Sequence, residues 1–278
     1  MLNVAITHDV DRIRKTYQYF THTAKGILKH NFPYVLNQLE SIFKKETYWN
    51  FPEIIEIEKS FNIKSTFFFL NESSKFKLFE PSKWDITLGR YNIKEEKVID
   101  MIRWLDNNEW EIGVHGSYNS YCNFNLLKKE KEELEYIVGH EIIGIRQHYL
   151  NLSPRTWELQ YTAGFKYESS WGLNDDFGFK GEKILPFTPL NNHFLVIPLI
   201  IMDEPFVKAR NRWDKFLKII ELIEKNNGLL VINWHTNTFH ENEFPGFKEA
   251  FNKIIEFCKT RDARFYTMKE YYEKFNFS

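Results

Sequence analysis

Near its start the chain reads Asn3-Val4-Ala5-Ile6-Thr7-His8-Asp9-Val10-Asp11, an apolar run that ends in an imidazole and two carboxylates. Residues 3–7 predict a short buried strand, and on an extended backbone residues two apart point the same way. Asp9 and Asp11 are therefore expected to face one point. Two acids that converge just past a strand end, where open α/β folds bind their ligands, need a cation or a proton between them.

Further apolar segments show the same pattern, each ending in polar residues at its carboxyl end: 111–117, 142–149 and 228–237. His115, His148 and His235 lie at these ends, and His8 lies at the end of the first strand. If strands and helices alternate, the carboxyl ends of the strands gather on one face of a barrel or sheet. A single such histidine is more often structural, but four of them with two aspartates predict a metal or acid/base site.

Composition is that of an ordinary globular chain. With 278 residues and 43% apolar content it can bury a large core, and α/β barrels of this length are often one domain, so residues 1–278 are expected to form a single domain. The net charge is −1, and basic residues are not interleaved with aromatic ones, which argues against nucleic-acid binding. No signal peptide or membrane span is recognisable, so we expect a cytoplasmic protein without stable membrane insertion.

Helix-like and strand-like patterns alternate along the chain. A strand is expected over 193–202. The stretch 12–50 is longer than an ordinary connection, so we expect it to shape the pocket, with a helix over 34–45. Other helices are predicted over 52–61, 124–138, 212–225 and 247–260.

The order of these segments resembles that of the polysaccharide deacetylase family, the NodB-homology or carbohydrate esterase family 4 enzymes, over nearly the whole chain. The His8-Asp9-Val10-Asp11 opening is most similar to the WbmS-like branch, which is associated with surface-glycan gene clusters. The resemblance implies an α/β fold, an irregular (β/α)7 barrel, and metal-dependent removal of N-acyl groups from sugars.

The resemblance also implies roles for single residues. Asp9 stands where the family has its general base, and Arg146 stands where an arginine orients that base. His235 stands at the position of the general acid. Tyr149, or a backbone N–H near it, is expected to stabilise the developing oxyanion.

The implied metal ligands depart from the family pattern. The family's metal-binding aspartate would fall on a valine here, so we expect Asp11 to take that role together with His115. Asn119 stands where the family has a second metal-binding histidine. A catalytic zinc usually has three protein ligands and an open position, so either Asp9 also coordinates the metal or His148 completes the set. We expect a divalent metal, with Zn²⁺ preferred.

These residues predict a metal-dependent hydrolase that removes an acetyl or formyl group from a sugar nitrogen during surface-glycan biosynthesis. The expected substrate is a nucleotide-linked or lipid-linked precursor. Two alternatives stay open: an amidohydrolase that acts on a small non-sugar amide, and a non-catalytic glycan-binding relative, which the missing second histidine would explain. A base, its orienting cation and an acid together argue against a pure binding module.

Overall fold

The computed structural model describes residues 1–41, 47–74, 76, 79–80, 84–190 and 194–277. Within these residues, parallel pairing joins nine strands into one curled sheet. The strands are β1 (Asn3–Val10), β2 (Thr66–Leu70), β3 (Glu111–Gly116), β4 (Gly144–Gln147), β5 (Tyr167–Glu168), β6 (Leu195–Val196), β7 (Ile201–Met202), β8 (Leu229–Asn233) and β9 (Arg264–Tyr266). The helices are α1 (Gln18–Leu28), α2 (Phe32–Ser41), α3 (Phe51–Ser60), α4 (Trp84–Thr87), α5 (Glu96–Asn107), α6 (Phe124–Val138), α7 (Thr156–Thr162), α8 (Asp203–Lys208), α9 (Arg212–Lys225), α10 (Phe247–Thr260) and α11 (Met268–Phe277).

The sheet has the order β6-β5-β4-β3-β2-β1-β8-β7, and β9 pairs with the first residues of β1. Between the two edge strands β6 and β7 the chain continues directly from one to the other. Leu199 N–H donates to the Trp171 carbonyl beyond β5 at 3.0 Å, and Ile200 N–H donates to the Val231 carbonyl of β8 at 3.1 Å. The chain thereby bridges the two edges, which gives the irregular NodB-type barrel that the family resemblance implies.

Successive side chains of each strand point to opposite faces of the sheet, so the apolar side chains form two separate layers. Val4 and Ile6 of β1 belong to the large core between the sheet and the helices, whereas Ala5 belongs to a smaller cluster with Phe68 inside the barrel. A Cβ on Gly113 would lie 2.5 Å from the Phe68 ring, so a glycine in β3 gives that ring its place inside the barrel. Because side chains alternate, the polar residues that end β1 are divided between the two faces as well.

The helix predictions over 52–61, 124–138, 212–225 and 247–260 are confirmed, with α3 displaced by one residue. Asn123 caps α6 by accepting the Leu126 N–H at 3.1 Å, and Gly139 ends that helix with a φ of 83°. None of the helices within the described residues has the length and apolar character needed to span a bilayer.

Two predictions need correction. The strand expected over 193–202 is split into β6 and β7, because Pro198 between them has no N–H to donate to a ladder; residue 193 lies outside the described residues. The helix expected over 34–45 begins earlier, as α2, and residue 45 also lies outside the described residues. The preceding helix α1 was not predicted.

Candidate active site

A cleft of about 330 Å³ opens at the carboxyl ends of the strands. Its described lining comes from the carboxyl ends of β1, β3, β4 and β7 and from the loops after β1, β4, β5, β7 and β8, so most of the polar strand ends noted in the sequence meet there. The stretch 12–50 was expected to shape the pocket, but none of its described residues, 12–41 and 47–50, lines this cleft. The lining residues are Asp9, Asp11, His115, Gln147, His148, Tyr149, Leu150, Asn174, Asp175, Met202, Asp203, Glu204, Pro205 and His235.

Asp11, His115 and His148 form the tightest cluster in the cleft. The Nε2 atom of His115 lies 3.2 Å from Asp11 Oδ1, and the Nε2 atom of His148 lies 3.2 Å from Asp11 Oδ2. One possible ligand atom from each residue lies within 4.8 Å of the others. Residues at the carboxyl ends of three strands, β1, β3 and β4, thus converge on one point, as the sequence predicts for Asp11 and His115.

The surroundings of this cluster suit a cation. His115 Nδ1 lies 3.0 Å from the Arg146 carbonyl, which can only accept a hydrogen bond, so Nδ1 carries a proton and Nε2 is the nitrogen that faces Asp11 and could bind a cation. The buried Asp11 Oδ1 has no hydrogen-bond partner among the described residues. Burial raises the pKa of Asp11, but His148 and His115 outweigh it and hold that pKa well below its usual range. One carboxylate oxygen and two imidazole nitrogens are a donor set that fits a catalytic zinc.

Asp9 is held differently from Asp11. Its Oδ1 accepts from Arg146 Nη1 at 2.9 Å and its Oδ2 accepts from Asn233 Nδ2 at 2.8 Å. Its Oδ2 also lies 3.8 Å from His115 Nε2, so the carboxylate borders the cluster while two other side chains orient it. Burial raises the pKa of Asp9, but the positive charges of Arg146, His115 and His235 together outweigh burial, and the net pKa is below the ordinary value.

Arg146 is fully buried and forms hydrogen bonds to residues of several strands. Its Nη1 lies 2.7 Å from Thr7 Oγ1 and 2.9 Å from Asn233 Oδ1, in addition to its ion pair with Asp9. Its Nε and Nη2 donate to the carbonyl and hydroxyl oxygens of Ser169 at 3.0 and 3.1 Å. A buried guanidinium is tolerated only with such partners. Arg146 therefore supports both the barrel interior and the orientation of Asp9.

His235 faces the cluster from the β8 side and is paired with Asp203. Its Nδ1 lies 3.0 Å from both carboxylate oxygens of Asp203, which also accepts the His235 backbone N–H at 2.8 Å and the Thr238 hydroxyl at 3.0 Å. Burial lowers the pKa of His235, but the carboxylates of Asp203, Asp11 and Asp9, with Asp203 the largest contributor, together outweigh burial and raise that pKa to about 10. His235 is therefore protonated at neutral pH and can donate a proton.

Two residues named in the sequence analysis, His8 and Asn119, do not line the cleft. His8 points away from the cleft, because it alternates with Thr7 and Asp9 along β1; its Nε2 lies 3.0 Å from the buried Glu58 and its Nδ1 lies 2.7 Å from the Trp234 carbonyl. Asn119 is exposed and its amide lies 3.4 Å from Ser74 Oγ. Tyr149 lines the cleft with 41% of its surface exposed, and its role in stabilising an oxyanion stays a prediction.

Asp203 and Asn233 are site residues to which the sequence reading gave no role. Asn233 is the one polar residue of β8, and it lies two positions after Val231, which faces the barrel interior. That alternation could have identified it. Asp203 follows directly on β7, so it matches the pattern of an acid at a strand end. Its partner His235 is 32 residues away in sequence, and no local sequence pattern indicates a contact over such a distance.

The sequence matches no protein-family model and no curated protein. Solved structures nevertheless share the fold. A Mycobacterium smegmatis protein assigned to the polysaccharide deacetylases is 18% identical, with a TM-score of 0.59 over 98% of this chain and 89% of its own. A protein from Pseudomonas aeruginosa PAO1 with the same assignment is 11% identical, with a TM-score of 0.58 over 98% of this chain and 90% of its own.

The fold is shared beyond the polysaccharide deacetylases. The PuuE allantoinase is 15% identical to this chain, with a TM-score of 0.59 over 98% of this chain and 89% of its own. At these identities the similarity establishes a common barrel rather than a common reaction. The choice of reaction therefore depends on the side chains of the cleft.

Proposed function

We propose that this protein is a metal-dependent hydrolase that removes an acetyl or formyl group from a sugar nitrogen. The observation that carries the proposal is the presence, in one cleft, of three residues that could bind a metal ion, an oriented carboxylate and a protonated imidazole. The cluster is Asp11, His115 and His148, with ligand atoms within 4.8 Å of one another. The similarity of the barrel to proteins assigned as polysaccharide deacetylases supports a sugar substrate.

Asp11, His115 and His148 would hold the metal, whose Lewis acidity activates water and polarises the acyl carbonyl. We assign the third ligand to His148 rather than Asp9, because both oxygens of Asp9 already accept hydrogen bonds from Arg146 and Asn233. His148 would thus take the role of the family's second metal-binding histidine, whose position is occupied by Asn119 in this chain.

Asp9 serves as the general base in this proposal. Because its pKa lies below the ordinary value, the carboxylate is ionised at neutral pH and accepts the proton of the attacking water. His235, held protonated by Asp203, gives its proton to the leaving amine. Base and acid border the same cluster from β1 and β8, which is the arrangement that hydrolysis of an amide needs.

The direct test is release of acetate or formate from a panel of N-acetyl and N-formyl sugars, free and nucleotide-linked, by zinc-loaded protein. Asp9→Asn is the matched control, since it removes the base and retains the size of the side chain. Activity that requires metal and disappears in the variant supports the proposal. Metal-free protein that turns over at the same rate contradicts it.

An amidohydrolase that acts on a small non-sugar amide is the second candidate, because the PuuE allantoinase has the same barrel with an equal TM-score. The same protein preparation assayed with allantoin and other small cyclic and linear amides distinguishes the two. A kcat/KM for such an amide above that for every acyl sugar would move the assignment to this class.

A further inference from the structure

Helices α1 and α2 form a hairpin inserted between β1 and α3, and its outer side is apolar. Six of the eighteen exposed large apolar side chains among the described residues lie in it. Phe20 is 79% exposed and Leu28 is 80% exposed. Isolated apolar residues are common on protein surfaces, but a concentration of this kind marks a binding surface. The six residues, here called the outer face, are Phe20, Ile27, Leu28, Phe32, Leu36 and Leu39.

The inner side of the hairpin is polar, which reverses the usual arrangement of a helix packed on a core. Gln38 of α2 is only 1% exposed and contacts the buried Lys15 ammonium, which also pairs with the buried Glu243. Tyr48 donates its hydroxyl to Glu243 at 2.6 Å. The hairpin is therefore attached to the barrel through a buried polar cluster, and its apolar residues are left for another partner.

The outer face is regular. Phe32, Leu36 and Leu39 follow the i, i+4, i+7 spacing of one helical stripe, and Phe20 and Ile27 are seven residues apart on the neighbouring helix. Gly26 lets the two helices approach closely, because a Cβ there would lie 2.7 Å from a methyl of Val35. The two apolar stripes belong to a pair of tightly packed helices.

The charge of the hairpin favours an anionic partner. Among its exposed side chains that the structure describes, Lys29 and His30 are the ones that carry or can gain charge, and both are basic. They occupy the turn between Leu28 and Phe32, at the edge of the apolar surface. Two copies of the chain packed through this face would bring like charges together, whereas an anionic lipid surface would neutralise them.

We propose that the outer face of the α1–α2 hairpin binds the surface of an anionic phospholipid bilayer. Helices of 11 and 10 residues are too short to span a membrane but have the size and composition of interfacial helices, with Phe and Leu on one side and basic residues at the margin. Residues 11–17 connect β1 to the hairpin, so the proposed membrane contact and Asp11 are joined by one short connection. The lipid contact does not depend on the chemistry of the cleft.

Co-sedimentation of the full chain with vesicles tests the proposal. One set of vesicles contains phosphatidylcholine alone and the other contains phosphatidylcholine mixed with phosphatidylglycerol. We expect binding to the anionic vesicles that weakens as salt is added. Leu28→Ser/Leu36→Ser should lower the partition coefficient by roughly tenfold to a hundredfold, since each leucine loses its apolar burial. The matched control is Leu217→Ser/Leu222→Ser, which changes two exposed leucines of α9.

Circular dichroism confirms that both double variants are folded. Equal binding by the two variants, or no binding of the unaltered chain to anionic vesicles, overturns the proposal. A concentration-dependent dimer in light scattering that only Leu28→Ser/Leu36→Ser dissociates also overturns it, because the outer face would then bind a second copy of the chain.

Discussion

Replacing Asp203 by asparagine tests why His235 is protonated and so able to donate a proton, as proposed. The pKa of His235 is about 10, against an ordinary value of 6.5, and the Asp203 carboxylate is the largest of the favourable causes. Asparagine keeps an oxygen acceptor for Nδ1 but removes the charge. Loss of an opposite charge at hydrogen-bond distance lowers a pKa by about one to three pH units, and each unit corresponds to about 1.4 kcal/mol.

The assay is an NMR titration of the imidazole nitrogens in metal-free protein, which needs no substrate. Asp175→Asn is the control, since that carboxylate is exposed on the wall of the same cleft. In the Asp203 variant the basic limb of a kcat/KM profile should also move to lower pH, because the protonated imidazole is lost earlier as pH rises. A His235 pKa that stays at the value of the unaltered protein refutes the electrostatic argument.

Three other predictions follow from the site and the core. Asp9→Asn should abolish turnover and leave the zinc content unchanged by elemental analysis; loss of zinc would make Asp9 a ligand. His115→Ala should lower zinc content, whereas unchanged metal would remove His115 from the ligand set. Glu58→Ala should destabilise the fold by about 3–5 kcal/mol in urea unfolding, because it leaves Nε2 of the buried His8 and Nε1 of the buried Trp110 without an acceptor. Glu56→Ala, on the exposed side of the same helix, should change the stability little.

The strongly apolar strands with polar residues at their ends predict an α/β sheet or barrel, and the resemblance to the polysaccharide deacetylases implies the barrel. Those ends meet on one rim, so the convergence of Asp11 and His115 follows from topology alone. By the same argument, all four strand-end histidines are expected to face one site. His8 differs because register on β1 turns it to the helix side, and a count of residue types does not contain that information.

There are physical reasons why some features of the structure could not be predicted from the sequence. Helix α1 has polar residues toward the barrel and apolar ones toward solvent, which contradicts the pattern used to recognise a packed helix. The pairing of Asp203 with His235 depends on contact between the loops after β7 and β8. Contacts between segments distant in sequence leave no periodic signal.

The burial of Arg146 bears on how relatives of this chain should be compared. Because the guanidinium is held by Thr7, Asn233 and Ser169 as well as by Asp9, selection for stability alone would retain it after catalysis was lost. A homologue that keeps this arginine has thus not been shown to be an enzyme. Asp11 and His148 instead contact each other in the cleft, at 3.2 Å, and the retention of both is the better diagnostic of a homologue that is still an enzyme.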